Sequence, residues 1–129
     1  MCHLISSDGI KVLDTKELIF DVDLEQFDEM VINASKQQPV LVDLWADWCS
    51  PCLVIAPVLK KLIGECDGKI KLAKVEVDEG ENMKLAGRYK VRGFPTVLLI
   101  ENGEEIARFS GAKPLSFLRQ FIEDNIAQR

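Results

Sequence analysis

Cys49 and Cys52, with two residues between them, are the side chains of this 129-residue protein best suited to covalent chemistry. Disulfides are attacked by thiolates, not by thiols, so the question is what would ionise one of them. A nearly continuous apolar stretch, Val40 to Trp45, leads into the pair. A helical pattern follows directly, with Ile55, Val58, Leu59, Leu62, Ile63 and Cys66 on one stripe. The spacing therefore puts Cys49 at the first helical position or just before it. Free N–H groups and the helix dipole favour negative charge there. Cys49 is the expected nucleophile. Cys52 lies on the same side of the first turn, placed to attack a mixed disulfide on Cys49 and release the substrate reduced. Pro51 suits the first turn, where a missing N–H costs little, and it stiffens the spacer.

Three further groups stand near the pair in this reading. Strand alternation gives Asp43 the same face as Leu41 and Trp45, among packed side chains. A carboxylate there is costly unless it is paired or protonated. Asp43 is read either as a buried acid that carries protons during exchange or as a satisfied structural aspartate. Lys74 shares the parity of Ile70 and Leu72, so its stem points inward or snorkels to water. The run Gly93-Phe94-Pro95-Thr96 is, taken alone, only a turn signal.

The elements that must position these groups are legible in the periodicity. Leu18-Ile19-Phe20 reads as a first strand. A helix follows, with Asp23 and Gln26 as a capping box and Leu24, Phe27, Val31 and Ala34 as its apolar stripe. Ser35 to Pro39 reads as a polar loop before the central strand. Pro57 should kink the helix after the cysteines. Ile70 to Asp78 reads as a strand and Asn82 to Tyr89 as a short helix. Val97 to Ile100 and Ile106 to Phe109 should pair around Asn102-Gly103, a type I′ hairpin signal. A last helix starts at Pro114, with Leu118, Phe121, Ile122 and Ile126 inward. The order β-α-β-α-β-α-β-β-α predicts an α/β domain: a mixed sheet of about five strands covered on both faces.

Composition limits the possible functions. Net charge of −5 argues against nucleic acid as the main partner. No apolar run approaches the ~20 residues of a membrane span. Residues 1–15 have neither a basic start nor an apolar stretch, so no secretory signal is expected. Four cysteines without an export signal point to a reducing compartment and catalytic thiols. Residues 1–17 read as an extension that forms a small hairpin or an added edge strand, and residues 18–129 as the domain proper. Cys2 and His3 lie in the extension; a zinc site needs more ligands than these two, so no metal is expected. Cys66, on the buried stripe, reads as a core residue rather than a regulatory thiol.

Trp48-Cys49-Ser50-Pro51-Cys52 after Val42-Asp43-Leu44-Trp45-Ala46 resembles the thioredoxin family, whose usual motif is Trp-Cys-Gly-Pro-Cys. The resemblance runs from about Leu18 to Arg129. It implies the thioredoxin fold and a cytoplasmic protein-disulfide reductase needing no bound cofactor. It also implies an electron donor such as a flavin-dependent thioredoxin reductase, and action as a monomer. It implies that Asp43 and Lys74 pair behind Cys52 and that Phe94-Pro95-Thr96 is a cis-proline loop facing the cysteines. In that setting Trp48, Ser50, Pro51, Gly93, Phe94, Pro95 and Gly111 would contact substrate, with the Phe94 backbone free to pair with an extended segment. Trp45 would pack beneath the site. Two positions depart from the family pattern: Ser50 replaces glycine, and Leu53 stands where lysine is frequent, which removes a charge and adds apolar surface. The competing readings are a thioredoxin-fold binding or chaperone-like module, whose members commonly lack one or both cysteines, and a disulfide oxidase or isomerase poised at higher potential.

Overall fold

In the computed structural model, residues 17–126 are described. The expected hairpin or edge strand of the extension, with Cys2 and His3, lies outside them. Five strands form one sheet: β1 (Ile19–Asp21), β2 (Val40–Trp45), β3 (Lys71–Glu76), β4 (Thr96–Glu101) and β5 (Glu104–Ser110). Their order is β1-β3-β2-β4-β5. β3 runs parallel to both β1 and β2, whereas β4 is antiparallel to β2 and β5. The sheet is therefore mixed, as the element order predicted.

β2 occupies the middle and is buried on both faces, which explains its unbroken apolar character. Val40, Val42 and Leu44 pack with Phe27, Val31 and Leu85 on one face. Leu41 packs on the other with Ile55 and Leu59 of α2 (Ser50–Glu65) and Leu118 and Ile122 of α4 (Leu115–Asn125). The alternation that sends Leu41 to this second face sends Asp43 there too. α2 continues through Pro57 without a break. Proline withdraws one donor from the ladder, and the carbonyl it would have served belongs to Leu53. Cys66 is fully buried at the C-terminal end of α2.

The first helical segment differs from the single helix expected. One α-turn, α1 (Leu24–Phe27), opens into wider π geometry over Asp28–Asn33 and then tightens into a 3-10 turn at Ala34–Lys36. The buried positions are Phe27, Val31 and Ser35, four residues apart. That spacing suits a turn wider than 3.6 residues and brings Ser35 inward, where a polar loop was expected. The Ser35 hydroxyl donates to the Ile32 carbonyl at 2.6 Å and accepts the Gly103 N–H at 2.8 Å. It thereby anchors the β4–β5 turn, whose Asn102 and Gly103 both have positive φ, as a type I′ turn requires.

Asn82 precedes α3 (Met83–Arg88) and is buried. Its amide nitrogen donates to the Asp23 side chain at 2.8 Å and to the Glu76 carbonyl at 3.0 Å. Its oxygen accepts the Leu24 N–H at 2.7 Å. One side chain thus ties the start of α1 to the end of β3. Asn82→Ala removes three bonds and leaves buried groups unpaired, so a loss of about 3 kcal/mol is expected. Urea unfolding checks this; an unchanged midpoint would mean that water replaces the amide without cost.

Candidate active site

β2 delivers the chain to the cysteines through a short loop, residues 46–49, and α2 begins at Ser50. Cys49 is the N-cap of that helix, with extended backbone (φ −101°, ψ 103°). Its sulfur accepts the backbone N–H of Cys52 at 3.2 Å, one of the otherwise orphaned amides of the first turn. The two cysteines are joined in a disulfide, with Cα atoms 5.3 Å apart. Their environments differ. Cys49 retains 5% exposure at the rim, while Cys52 has 1% and faces the core. Cys49 is the more exposed residue of the two, and it is the one at the positive end of α2. Ser50 and Pro51 fill the first turn, and Ser50 is exposed.

Asp43 is buried, and neither carboxylate oxygen has a hydrogen-bond partner among the described residues. Loss of water pushes its pKa from 3.8 up to about 7, with the positive charge of Lys74 working in the opposite direction. Lys74 is the register partner of Asp43 across the parallel β2–β3 pair. The resemblance implied that the two pair, and the Lys74 charge does act on Asp43. No hydrogen bond joins the two side chains, and the Lys74 ammonium sits 5.1 Å from the centre of the Trp45 ring. The half-buried Trp45 at the end of β2 is thus covered by a cation.

Phe94 and Pro95 are joined by a cis peptide bond. The loop is clamped to the sheet from two sides. The Gly111 N–H donates to the Pro95 carbonyl at 2.9 Å, and the Thr96 hydroxyl donates to the Gly93 carbonyl at 2.6 Å. Gly111 has φ +89°, a conformation that strains any residue with a Cβ. Gly93 needs no such freedom, and a Cβ there would meet nothing within 4 Å. Among the described residues no hydrogen bond engages the backbone N–H of Phe94.

Trp48 is 63% exposed, and its ring meets that of Phe94 edge-on at 6.2 Å. This contact brings the two loops together across the site. The Trp48 indole N–H donates to Asp78, a link across thirty residues that sequence periodicity could not reveal. Leu53 and Val54 are also largely exposed on the outer face of α2. The apolar rim beside the disulfide is thus larger than Trp48 alone, and Val54 was not among the residues singled out.

Sequence comparison finds relatives along most of the chain. The sequence profile of the thioredoxin family matches residues 19–124. Thioredoxin C-2 of Corynebacterium nephridii is 45% identical over 102 residues, covering 79% of this chain and 91% of that protein. The thioredoxin of Haemophilus influenzae is 43% identical over 100 residues, covering 78% and 90%. A chloroplastic M-type thioredoxin of Pisum sativum is 40% identical over 118 residues, covering 89% and 66%.

Proposed function

From the premise that this chain belongs to the thioredoxin family and is a dithiol–disulfide oxidoreductase acting on protein disulfides, we propose how its residues divide the work. The observation that carries the proposal is that Cys49, the N-cap of α2, is the more exposed of the two cysteines. In the reduced protein the Cys49 thiolate attacks one sulfur of a substrate disulfide. A mixed disulfide forms and the first substrate thiolate leaves, taking a proton from solvent. Asp43, ionised, accepts the proton of Cys52 within the core. The Cys52 thiolate then attacks the Cys49 sulfur, the second substrate thiolate leaves, and the Cys49–Cys52 disulfide closes. Two electrons have passed to the substrate.

Lys74 biases the Asp43 charge, and Trp48, Ser50, Pro51 and the Gly93–Pro95 loop hold the substrate, with Gly111 keeping the loop in place. The unpaired Phe94 backbone supports a strand-like pairing with an extended substrate segment. Leu53 and Val54 favour targets with apolar residues flanking the disulfide. An external dithiol donor, such as a flavin-dependent thioredoxin reductase, returns the pair to the reduced state. A reductant of this kind works where thiols are kept reduced, which supports action in the cytoplasm. We take the working unit to be a monomer, as the family resemblance implies. Among the described residues no helix is long and apolar enough to cross a membrane.

Equilibration against glutathione buffers tests the direction of electron flow. A reductant should have a midpoint on the reducing side of about −220 mV, whereas a value near −180 mV or above would place it with the isomerases and oxidases. Repeating the titration with Ser50→Gly measures how the hydroxyl beside Cys49 moves that value.

A further inference from the structure

Thr96 follows the cis-proline directly and has one hydroxyl proton. A carbonyl cannot donate, so that proton goes to the Gly93 oxygen, 2.6 Å away. Thr96 Oγ1 also lies 3.1 Å from the Ser110 hydroxyl. With the Thr96 proton already committed, Ser110 must be the donor in this second bond. The result is a one-directional relay, Ser110 to Thr96 to the Gly93 carbonyl, in which each bond polarises the next.

The Gly93 carbonyl belongs to the same peptide unit as the Phe94 N–H. In a planar trans peptide the two point in opposite directions. Drawing the carbonyl toward Thr96 therefore aims the Phe94 N–H away from Thr96. That amide has no hydrogen-bond partner among the described residues. Ser110 reaches Thr96 because of an irregularity in the sheet. The Asn102-Gly103 turn pairs Glu101 with Glu104 and Ile100 with Glu105, but the register then slips by one residue at Leu99/Ile100. Regular pairing would set Phe109 opposite Thr96; the slip sets Ser110 there.

We infer that Ser110 is a positioning residue for substrate: through Thr96 and the Gly93 carbonyl it orients the Phe94 amide that pairs with the extended segment carrying the target disulfide. This rests on the reading of Phe94 above. Ser110 is exposed and Thr96 buried, so the donor can be removed without opening the core.

Ser110→Val places a β-branched residue, favoured in strands, at the end of β5 but supplies no proton; Ser110→Thr restores one. Turnover is measured with dithiothreitol as reductant and two substrates: insulin, which has a backbone to pair, and hydroxyethyl disulfide, which has none. Loss of one neutral hydrogen bond predicts a KM for insulin about threefold higher in Ser110→Val, with kcat and the hydroxyethyl disulfide rate unchanged. Ser110→Thr should return to wild type. Equal changes for both substrates, or none, would overturn the inference, because a merely structural role has no reason to distinguish them. Replacing Phe94 with phenyllactic acid, which puts an ester oxygen in place of the amide N–H, separates the two layers. If that variant fails to weaken insulin selectively, the Phe94 reading falls and the inference with it. If it does weaken insulin while Ser110→Val does not, only the Ser110 relay is refuted.

Discussion

Cys52→Ser is expected to abolish turnover of insulin down to the dithiothreitol background and to leave the protein covalently attached to its substrate through Cys49. The serine hydroxyl cannot attack the mixed disulfide at neutral pH, so the first step proceeds and the second does not. Cys49→Ser should be equally inactive but should trap nothing, because the remaining Cys52 is the more deeply buried of the two cysteines. Mass spectrometry after non-reducing electrophoresis distinguishes the two variants. Trapping through Cys52 in Cys49→Ser would reverse the assignment of nucleophile and resolving thiol. A binding module would show neither turnover nor a trapped species.

The second large effect concerns Asp43. Asp43→Asn should slow release of the trapped substrate by up to about a hundredfold, the lower end of what a positioned base contributes. The wild-type rate should rise with pH through about 7, where the Asp43 carboxyl ionises. The variant should lose that inflection. Stability makes a separate prediction with a definite sign. In the unfolded chain Asp43 releases its proton near 3.8, but in the folded protein it holds it to about 7. Between those values the folded state binds more protons, so its stability falls as pH rises and levels off above about 7. Across the window the loss is about 4 kcal/mol at most. Asn bears no charge at any pH in this range. The stability of Asp43→Asn relative to wild type should therefore increase from pH 4 to pH 7 and stay constant above. A difference independent of pH would show that Asp43 reaches water or a partner when charged.

Neither prediction depends on subtle structure, and both were legible in the amino-acid order. Cys49 and Cys52 straddle a strand-to-helix junction that is announced by a change of period within a dozen residues. Asp43 faces inward because side chains on a strand alternate strictly, and its neighbours Leu41 and Trp45 declare which face is packed. The hairpin turn and the layer order follow from equally local signals. Glycine and asparagine accept positive φ at the turn, and apolar stripes mark which side of each helix is covered.

The first helical segment shows where local signals stop. Its stripe was read at the normal helical period, which left Ser35 in a loop. The wider π turns carry Ser35 inward, toward a bond with Gly103 that lies sixty-eight residues away. Asn82 gave no signal beyond its place ahead of a short helix, yet it joins α1 to β3. Lys74 had the parity of an inward residue, but only the packed structure showed that its ammonium lies over Trp45.

The sequence alone determined where the reactive groups stand: a sulfur at a helix start, a second within the first turn, and an acid on a buried strand. Each depends on backbone geometry within a few residues, which amino-acid types control directly. The contacts of the proposed substrate groups were decided by the tertiary structure. Trp48 meets Phe94, and Ser110 reaches Thr96, only because distant segments pack together and one strand slips by a residue. A slip of that kind exchanges which side chain faces a given partner while changing little in the hydrophobic pattern, so no reading of periodicity could have located it.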